Sequence, residues 1–179
     1  MITIELQKEV YQNIREVPDF PIPGVNFKDI SPILLKPDLV RKIVQALCEP
    51  FRNQQISKVI GIESRGFILG TLMAQELNAG FVIVRKKGKL PPQNLEVSYQ
   101  LEYGSATIEM PEYAIHEKDI VIVHDDLLAT GGTAAAAAQF VLQKNAQLAG
   151  FSFLINLKFL GGYNKLLPLS SKIEYLIEY

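Results

Sequence analysis

The stretch Val121–Thr133, VIVHDDLLATGGT, runs from an apolar segment through two acidic residues into a loop of small residues. The segment DIVIVHD, which overlaps its beginning, is rich in β-branched residues and predicts a buried strand that ends at the two acids. TAAAAAQFVLQKN, which starts at Thr133, predicts the helix that follows. A strand, a short loop and a helix in this order are typical of an α/β fold.

The same alternation of strand and helix extends to both sides of this unit. Upstream, KVIGIE (58–63) and FVIVRK (81–86) predict strands that enclose the helical segment GFILGTLMAQEL (66–77). Downstream, LAGFSFLINL (148–157) and IEYLIEY (173–179) predict two more strands. This order favours a mostly parallel sheet flanked by helices. Ligands of such sheets bind beyond the carboxyl ends of the strands, where KVIGIE, FVIVRK and DIVIVHD each end in charged residues.

Two further segments have patterns of their own. A helix at the N-terminus is predicted by four apolar residues at three- and four-residue spacing, Leu6, Val10, Ile14 and Val17. The proline-rich segment that follows, PDFPIPG, cannot continue a helix. SYQLEYGSATIEM (98–110) contains two short extended runs around a glycine and predicts a hairpin.

The composition is that of an ordinary globular protein. The chain has 179 residues, of which 48% are hydrophobic and 21% charged, and its net charge is -1. We therefore expect one domain, 1–179, with no attraction to nucleic acid or to membranes. The single cysteine, Cys48, excludes an internal disulfide and favours a reducing compartment. Because the N-terminus also lacks the layout of a signal peptide, we expect a cytoplasmic location.

The loop Thr130–Thr133 has two properties that suit an anion. Glycines let a ligand approach the backbone, and the first amides of a helix are unpaired and carry partial positive charge. Asp125 and Asp126 would repel a phosphate, and they suit sugar hydroxyls or a hydrated cation instead. The combination predicts a site for a ribose 5-phosphate. The alternative is a strand end with two solvated acids and a threonine-capped helix.

Five segments resemble, in order and in spacing, the type I phosphoribosyltransferases that act on adenine. They are PDFPIPGVNFKDISPIL (18–34), GIESRGF (61–67), RKKGKLP (85–91), YQLEYG (99–104) and DDLLATGGT (125–133). The last is similar to the family's signature for phosphoribosyl diphosphate (PRPP). The resemblance implies the type I fold, with an N-terminal helix and base-binding hood over 1–35 and a mobile hairpin flap over 85–112.

The resemblance also implies how PRPP is held. Asp125 and Asp126 would bind the ribose hydroxyls, with Mg²⁺ nearby and held mainly by PRPP. The residues that would surround the 5-phosphate are Ala129, Thr130, Gly131, Gly132 and Thr133. Cations suit the departing diphosphate, and the candidates are Arg65, Arg85, Lys86 and Lys89. A solvated basic loop is the alternative for the last three, and the family implies a homodimer.

The purine is expected to lie in the hood. Phe27 offers a flat apolar face, and the resemblance implies that the main chain around it, at Val25, Asn26 and Lys28, contacts the edge of adenine. The family more often has an apolar residue at position 26 and arginine at position 28. A side chain of Asn26 that touched the base would change its specificity. The alternative for Phe27 is a simple core residue.

The resemblance assigns the proton chemistry to the flap. Glu102 would be the acid and base partner of the purine imidazole, and Tyr103 would cover the closed site, from which water is excluded. Family members that act on 6-oxopurines resemble EDIIDTGxT in the PRPP loop, with an acid where this chain has Ala129. The missing acid favours adenine. Without the resemblance, Glu102 and Tyr103 would be surface residues of a hairpin.

The implied reaction transfers the 5-phosphoribosyl group from PRPP to adenine, giving AMP and diphosphate in purine salvage. Two alternatives stay open, namely a phosphoribosyltransferase for xanthine or guanine and a non-catalytic PRPP-binding regulator. Walker-type and dinucleotide sites are excluded, because neither GK[ST] nor G-x-G-x-x-G after a strand occurs. His124 stands where the family usually has an apolar residue, and we expect it to be hydrogen-bonded within the sheet.

Overall fold

The structure is a computed structural model that describes residues 2–100 and 104–179. Its strands are β1 (Arg15–Val17), β2 (Phe27–Asp29), β3 (Lys58–Ile62), β4 (Gly80–Lys86), β5 (Asn94–Gln100), β6 (Ser105–Pro111), β7 (Ile120–Leu128), β8 (Gln147–Asn156) and β9 (Ile173–Glu178). Its α-helices are α1 (Ile4–Gln12), α2 (Ser31–Leu34), α3 (Pro37–Cys48), α4 (Gly66–Glu76), α5 (Gly132–Gln143) and α6 (Gly162–Leu166). Short 3-10 helices span Glu49–Gln54 and Lys158–Leu160.

Within residues 2–100 and 104–179, seven strands form the central sheet, in the order β5-β6-β4-β3-β7-β8-β9. The five strands from β4 to β9 in this order are parallel, whereas β6 pairs antiparallel with both β4 and β5. The mostly parallel α/β fold predicted from the sequence is confirmed. The chain passes from β3 to β4 on one side and later adds β7 on the other side of β3. The strand order therefore reverses next to β3, which is where such sheets bind ligands.

Helices cover both faces of the sheet. On one face, α5 packs through Ala137, Ala138 and Phe140 against strand residues such as Val121 and Phe153. The alanines let the helix lie close to the strands, which explains the run of five in the sequence. On the other face, α1, α3 and α4 form a second apolar cluster with β8 and β9.

The N-terminal helix is shorter than its apolar pattern predicted. Helix α1 ends at Gln12, and Ile14 and Val17 lie outside it. Ile14 is still buried. The chain changes to a strand because β1 pairs antiparallel with β2, with Val17 opposite Phe27, so the ladder satisfies the backbone groups there. This two-stranded ribbon carries the predicted hood residues.

Strand β7 extends further than its sequence predicted. The acids were expected to close the strand, but pairing with β8 continues from Asp125 to Leu128. On the other side, pairing with β3 stops at His124. Beyond His124, strand β7 is therefore paired only on its β8 side within the described part of the chain. Both acids lie on this part of β7, which is paired on its β8 side. Helix α5 begins at Gly132.

The predicted hairpin is present as β5 and β6, whose register runs from Asn94 opposite Pro111 to Gln100 opposite Ser105. Glu102 and Tyr103 fall outside the described residues. Within the two described ranges, no helix is both long enough and apolar enough to cross a membrane.

Candidate active site

A cavity of about 470 Å³ opens at the carboxyl ends of β3 and β7. It is lined by the hood residue Phe27, the loop residues Glu63, Ser64 and Arg65, the acids Asp125 and Asp126, the segment Leu127–Ala134, and Phe153. The structure thus brings together three segments that are far apart in the sequence. They carry an aromatic face, a cation and an acidic strand that continues into a glycine loop.

The glycine loop is held in shape by the start of α6. Gly131 has φ 74°, in the left-handed region, and a Cβ there would lie 2.8 Å from the carbonyl oxygen of Gly162. A side chain at Gly162 would in turn clash with the carbonyl of Ala129. Both positions therefore need glycine. The close packing aligns the loop from Ala129 to Thr133 at the N-terminus of α5, where free amides suit a phosphate.

The two acids lie side by side, Asp126 buried and Asp125 partly buried. Asp126 is 3% exposed, and its Oδ2 forms an ion pair with Arg65 Nε at 3.0 Å. Asp125 Oδ1 accepts a hydrogen bond from the Asp126 amide at 2.9 Å. Burial and repulsion from Asp126 raise the pKa of Asp125 well above its usual value. Burial also raises the pKa of Asp126, and the guanidinium of Arg65 opposes this rise.

Arg65 lies on the hood side of the cavity. Its Nη1 donates to the main-chain carbonyl of Lys28 at 3.1 Å, and its guanidinium carbon lies 4.7 Å from the centre of the Phe27 ring. Together with Asp126, these contacts tie the loop after β3 to β2 and β7. The sequence suggested a diphosphate contact for Arg65, and that role stays a prediction.

Two acids, Glu63 and Glu109, hold the basic segment that covers the end of β4 and the loop after it. Glu63 accepts from Arg85 Nε at 3.2 Å, from Lys89 Nζ at 2.8 Å and from the Lys86 amide at 2.9 Å. Burial tends to raise the pKa of Glu63, but the hydrogen bonds from Lys89 and Lys86 outweigh it and lower the pKa. The buried Glu109 accepts from the amides of Lys89 and Leu90.

Sequence reasoning missed this organising role of Glu63. The residue was visible as the charged end of the strand KVIGIE, but its partners lie on the next strand and in the loop after it. Since Glu63 lines the main cavity, the cations that it holds stand at the edge of the same site.

In the hood, the side chain of Asn26 points to an acid. Asn26 Nδ2 donates to Glu16 Oε2 at 2.6 Å, and Lys28 Nζ lies 2.8 Å from the same oxygen. Lys28 is buried, and its Nζ lies 3.9 Å above the centre of the Tyr179 ring. Both side chains that differ from the family pattern are therefore engaged with the protein. Val25 is partly exposed nearby.

His124 is fully buried behind the site, with its ring 3.3 Å from the position of a Cβ at Gly70 of α4. Among the described residues, neither ring nitrogen has a hydrogen-bond partner, which differs from the bonded histidine expected from the sequence. Burial lowers the pKa of His124 to about 4, and the main chain of Ser152 opposes the shift. His124 therefore fills space as a neutral ring.

Residues 30–158 match the family of the phosphoribosyl transferase domain. An adenine phosphoribosyltransferase from Myxococcus xanthus is 50% identical over 161 residues, which are 90% of this chain and 88% of the relative. The chain belongs to the adenine phosphoribosyltransferase family. A second relative of that name, from Rhizobium meliloti, is 44% identical over 97% of each chain.

Solved structures of this family have the same fold. Adenine phosphoribosyltransferase from Rhodothermus marinus is 51% identical and gives a TM-score of 0.94, covering 99% of this chain and 100% of its own. The enzyme from Saccharomyces cerevisiae gives a TM-score of 0.89 at 38% identity, with 97% and 99% covered. It was solved in complex with adenine and D-2,5-dideoxy-2,5-imino-altritol 1,6-bisphosphate.

Proposed function

We propose that this chain transfers the 5-phosphoribosyl group of PRPP to adenine, giving AMP and diphosphate in purine salvage. One observation carries the proposal. The glycine loop, the acid pair and the ring of Phe27 line a single cavity at the carboxyl edge of the sheet. These parts suit a phosphate, a sugar and a purine in that order, which is the layout of the product.

The loop and the acids would hold the ribose 5-phosphate. Ala129, Gly131 and Gly132 present main chain at the start of α5, and the hydroxyls of Thr130 and Thr133 add donors. The carboxylates of Asp125 and Asp126 would accept from the ribose hydroxyls. Burial raises the pKa of both acids, and repulsion from Asp126 adds to the rise at Asp125, so negative charge is costly there and hydroxyl donors or a cation would relieve that cost.

Mg²⁺ fits next to the acid pair. Carboxylate oxygens are its preferred protein ligands, and the ion commonly takes only one or two of them together with substrate phosphates. PRPP would thus bring most of the ligands, with Asp125 and Asp126 close by. When bound, the ion would neutralise charge on the diphosphate as it leaves.

The remaining charge on the leaving diphosphate would be met by Arg85, Lys86 and Lys89. Glu63 holds two of these cations at the edge of the cavity. A carboxylate in contact with both also limits their repulsion while the site has no anion. Arg65 would complete the set from the hood side.

Adenine would stack on Phe27, with its edge read by the main chain of Val25, Asn26 and Lys28. The bond from Asn26 to Glu16 supports reading by main chain, because it turns the amide side chain to an acid of β1. This arrangement favours adenine over guanine or xanthine, as does the absence of an acid at Ala129. Glu102 would serve the imidazole side of the purine, and Tyr103 would cover the closed site.

We also infer a homodimer in the cytoplasm. Large apolar side chains are exposed along the hood, α2 and α4, including Leu35 at 83% and Ile68 at 40%. A second copy of the chain is the partner that the family suggests for this surface. The buried free Cys48 suits a reducing compartment.

Release of diphosphate tests the proposal. The protein is incubated with PRPP and Mg²⁺ and with adenine, guanine, hypoxanthine or xanthine in turn. We expect rapid release with adenine and far slower release with the other bases. Preference for xanthine or guanine would favour the alternative transferase, and PRPP binding without release for any base would favour a regulator.

A further inference from the structure

We propose that Tyr99 is a positioning residue that couples the 5-phosphate loop to the hairpin arm that carries Glu102. The hydroxyl of Tyr99, on β5, lies 2.9 Å from Thr133 Oγ1, at the start of α5. We call this pair of residues the flap latch. The inference rests on the proposed function, because it takes Thr133 as a phosphate ligand and Glu102 as the acid and base.

The ring of Tyr99 forms part of the wall of the proposed PRPP site. A Cβ at Gly132 would lie 3.4 Å from a ring carbon of Tyr99, so the ring lies against Gly132 of the loop. The ring also packs against the core cluster beneath α5. With Thr133, Asp125 and Glu63 it lines a small cavity of about 100 Å³ beside the main one. Tyr99 therefore reaches from the hairpin into the PRPP site.

The chemistry of the two hydroxyls makes the contact sensitive to the ligand. A threonine hydroxyl has one proton to donate and can accept as well. Once Thr133 donates to a phosphate oxygen, it can only accept from Tyr99. Phosphate binding therefore fixes the direction of both hydrogen bonds: Tyr99 donates to Thr133, and Thr133 donates to the phosphate. Each of these hydrogen bonds polarises the next.

Tyr99 is close to Glu102 in the sequence, so the flap latch can influence the proposed acid and base. Glu102 follows three residues later. Tyr99 is also paired across the hairpin with Ala106, so both arms are fixed at this level. A tighter latch restrains the base of the segment that carries Glu102. Binding of the 5-phosphate would in this way prepare the acid for the purine, at the opposite end of the ribose.

The Tyr99→Phe variant tests the latch, because it keeps the ring on Gly132 and removes only the hydroxyl. Tyr113→Phe is the matched control, since Tyr113 is 76% exposed. For Tyr99→Phe we expect the KM for PRPP to rise about three- to tenfold, the effect of one lost hydrogen bond, with a smaller change in the KM for adenine. Tyr113→Phe should match the wild type in both constants.

Hydrogen exchange separates the latch from a merely structural role. Ribose 5-phosphate should slow amide exchange in peptides from segment 94–111 of the wild type, and much less so in Tyr99→Phe. Equal protection in the two proteins would overturn the proposal. This measurement does not depend on catalysis. It therefore tests the flap latch even if the protein does not transfer the phosphoribosyl group to adenine.

A double-mutant cycle is a second test of the flap latch. If the two hydroxyls act as one unit, Tyr99→Phe should add little to the loss in PRPP affinity caused by Thr133→Val. Losses that multiply independently would show that Tyr99 acts by another route and would refute the latch.

Discussion

Arg65 Nε lies 3.0 Å from Asp126 Oδ2, and this ion pair joins the loop after β3 to the acidic part of β7. The same guanidinium bonds to the carbonyl of Lys28 and lies over the ring of Phe27. A single side chain thus touches the proposed sites of both ribose and base.

Replacing Arg65 by lysine should lower kcat/KM for PRPP about 10- to 100-fold. Lysine keeps the charge but lacks the planar fork that reaches Asp126 and Lys28 together. Steady-state kinetics measure the effect. Arg41→Lys is the control, because Arg41 pairs with Asp38 on the exposed surface of α3. Wild-type kinetics in Arg65→Lys would show that the fork has no role.

The ion pairs at Glu63 should stabilise the protein as well as place cations. Glu63→Gln keeps the shape of the side chain and removes the charge that Arg85 and Lys89 share. We expect the free energy of unfolding to fall by about 1.5–3 kcal/mol and the KM for PRPP to rise. Glu96→Gln, which removes the exposed partner of Lys87, should change neither quantity measurably. Equal effects of the two substitutions would contradict this account of Glu63.

Asn26 should have little influence on the choice of base. Its amide bonds to Glu16, so the purine edge is left to the main chain. In Asn26→Val, we expect kcat/KM for adenine relative to hypoxanthine and guanine to stay within about threefold of the wild type. Competition assays with mixed bases measure this ratio. A shift of the preference towards a 6-oxopurine would mean that the side chain takes part in recognition.

His124 should make the fold sensitive to acid. Its pKa in the folded state, about 4, lies below the usual 6.5, so only the unfolded chain gains a proton between these values. Protonation of His124 therefore costs little stability above about pH 6.5, and the free energy of unfolding falls as the pH drops towards 4. From pH 7.5 to 5.0 the contribution is ~2 kcal/mol.

Urea unfolding of His124→Val at the two pH values tests this, with the exposed His116→Gln as control. The pH dependence of the free energy of unfolding should shrink in His124→Val and persist in His116→Gln. An unchanged pH dependence in His124→Val would exclude His124 as the acid-sensitive group.

Glu102 is expected to manage the protons of the purine. In Glu102→Gln, turnover should fall by about 10²- to 10⁴-fold, because the amide cannot exchange a proton with the imidazole ring. PRPP binding, measured by calorimetry, should survive. Near-normal turnover in Glu102→Gln would show that another group carries out the proton transfer.

The sequence was enough to predict the sheet and the glycine loop. β-branched runs and their spacing predicted β3, β4, β7, β8 and β9. The length of β7 could not be predicted, because its last residues are strand only through pairing with β8. The end of α1 depends in the same way on the pairing of β1 with β2.

Within the site, residue types were predictable but partners were not. Asp126 and Arg65 were both candidates, yet their ion pair joins segments that are about 60 residues apart in the sequence. The role of Glu63 depends on Arg85 of the neighbouring strand and on Lys89 of the loop that follows it. The burial of His124 depends on the space that glycines of α4 leave above the sheet. Such contacts follow from tertiary packing and leave no local pattern.

The most direct test is the formation of AMP itself. Purified protein is mixed with adenine, PRPP and Mg²⁺, and the nucleotide products are separated by chromatography. We expect AMP to accumulate with an equal amount of diphosphate, and Asp126→Asn to form it far more slowly. If the wild type forms no AMP, the protein does not transfer the phosphoribosyl group to adenine.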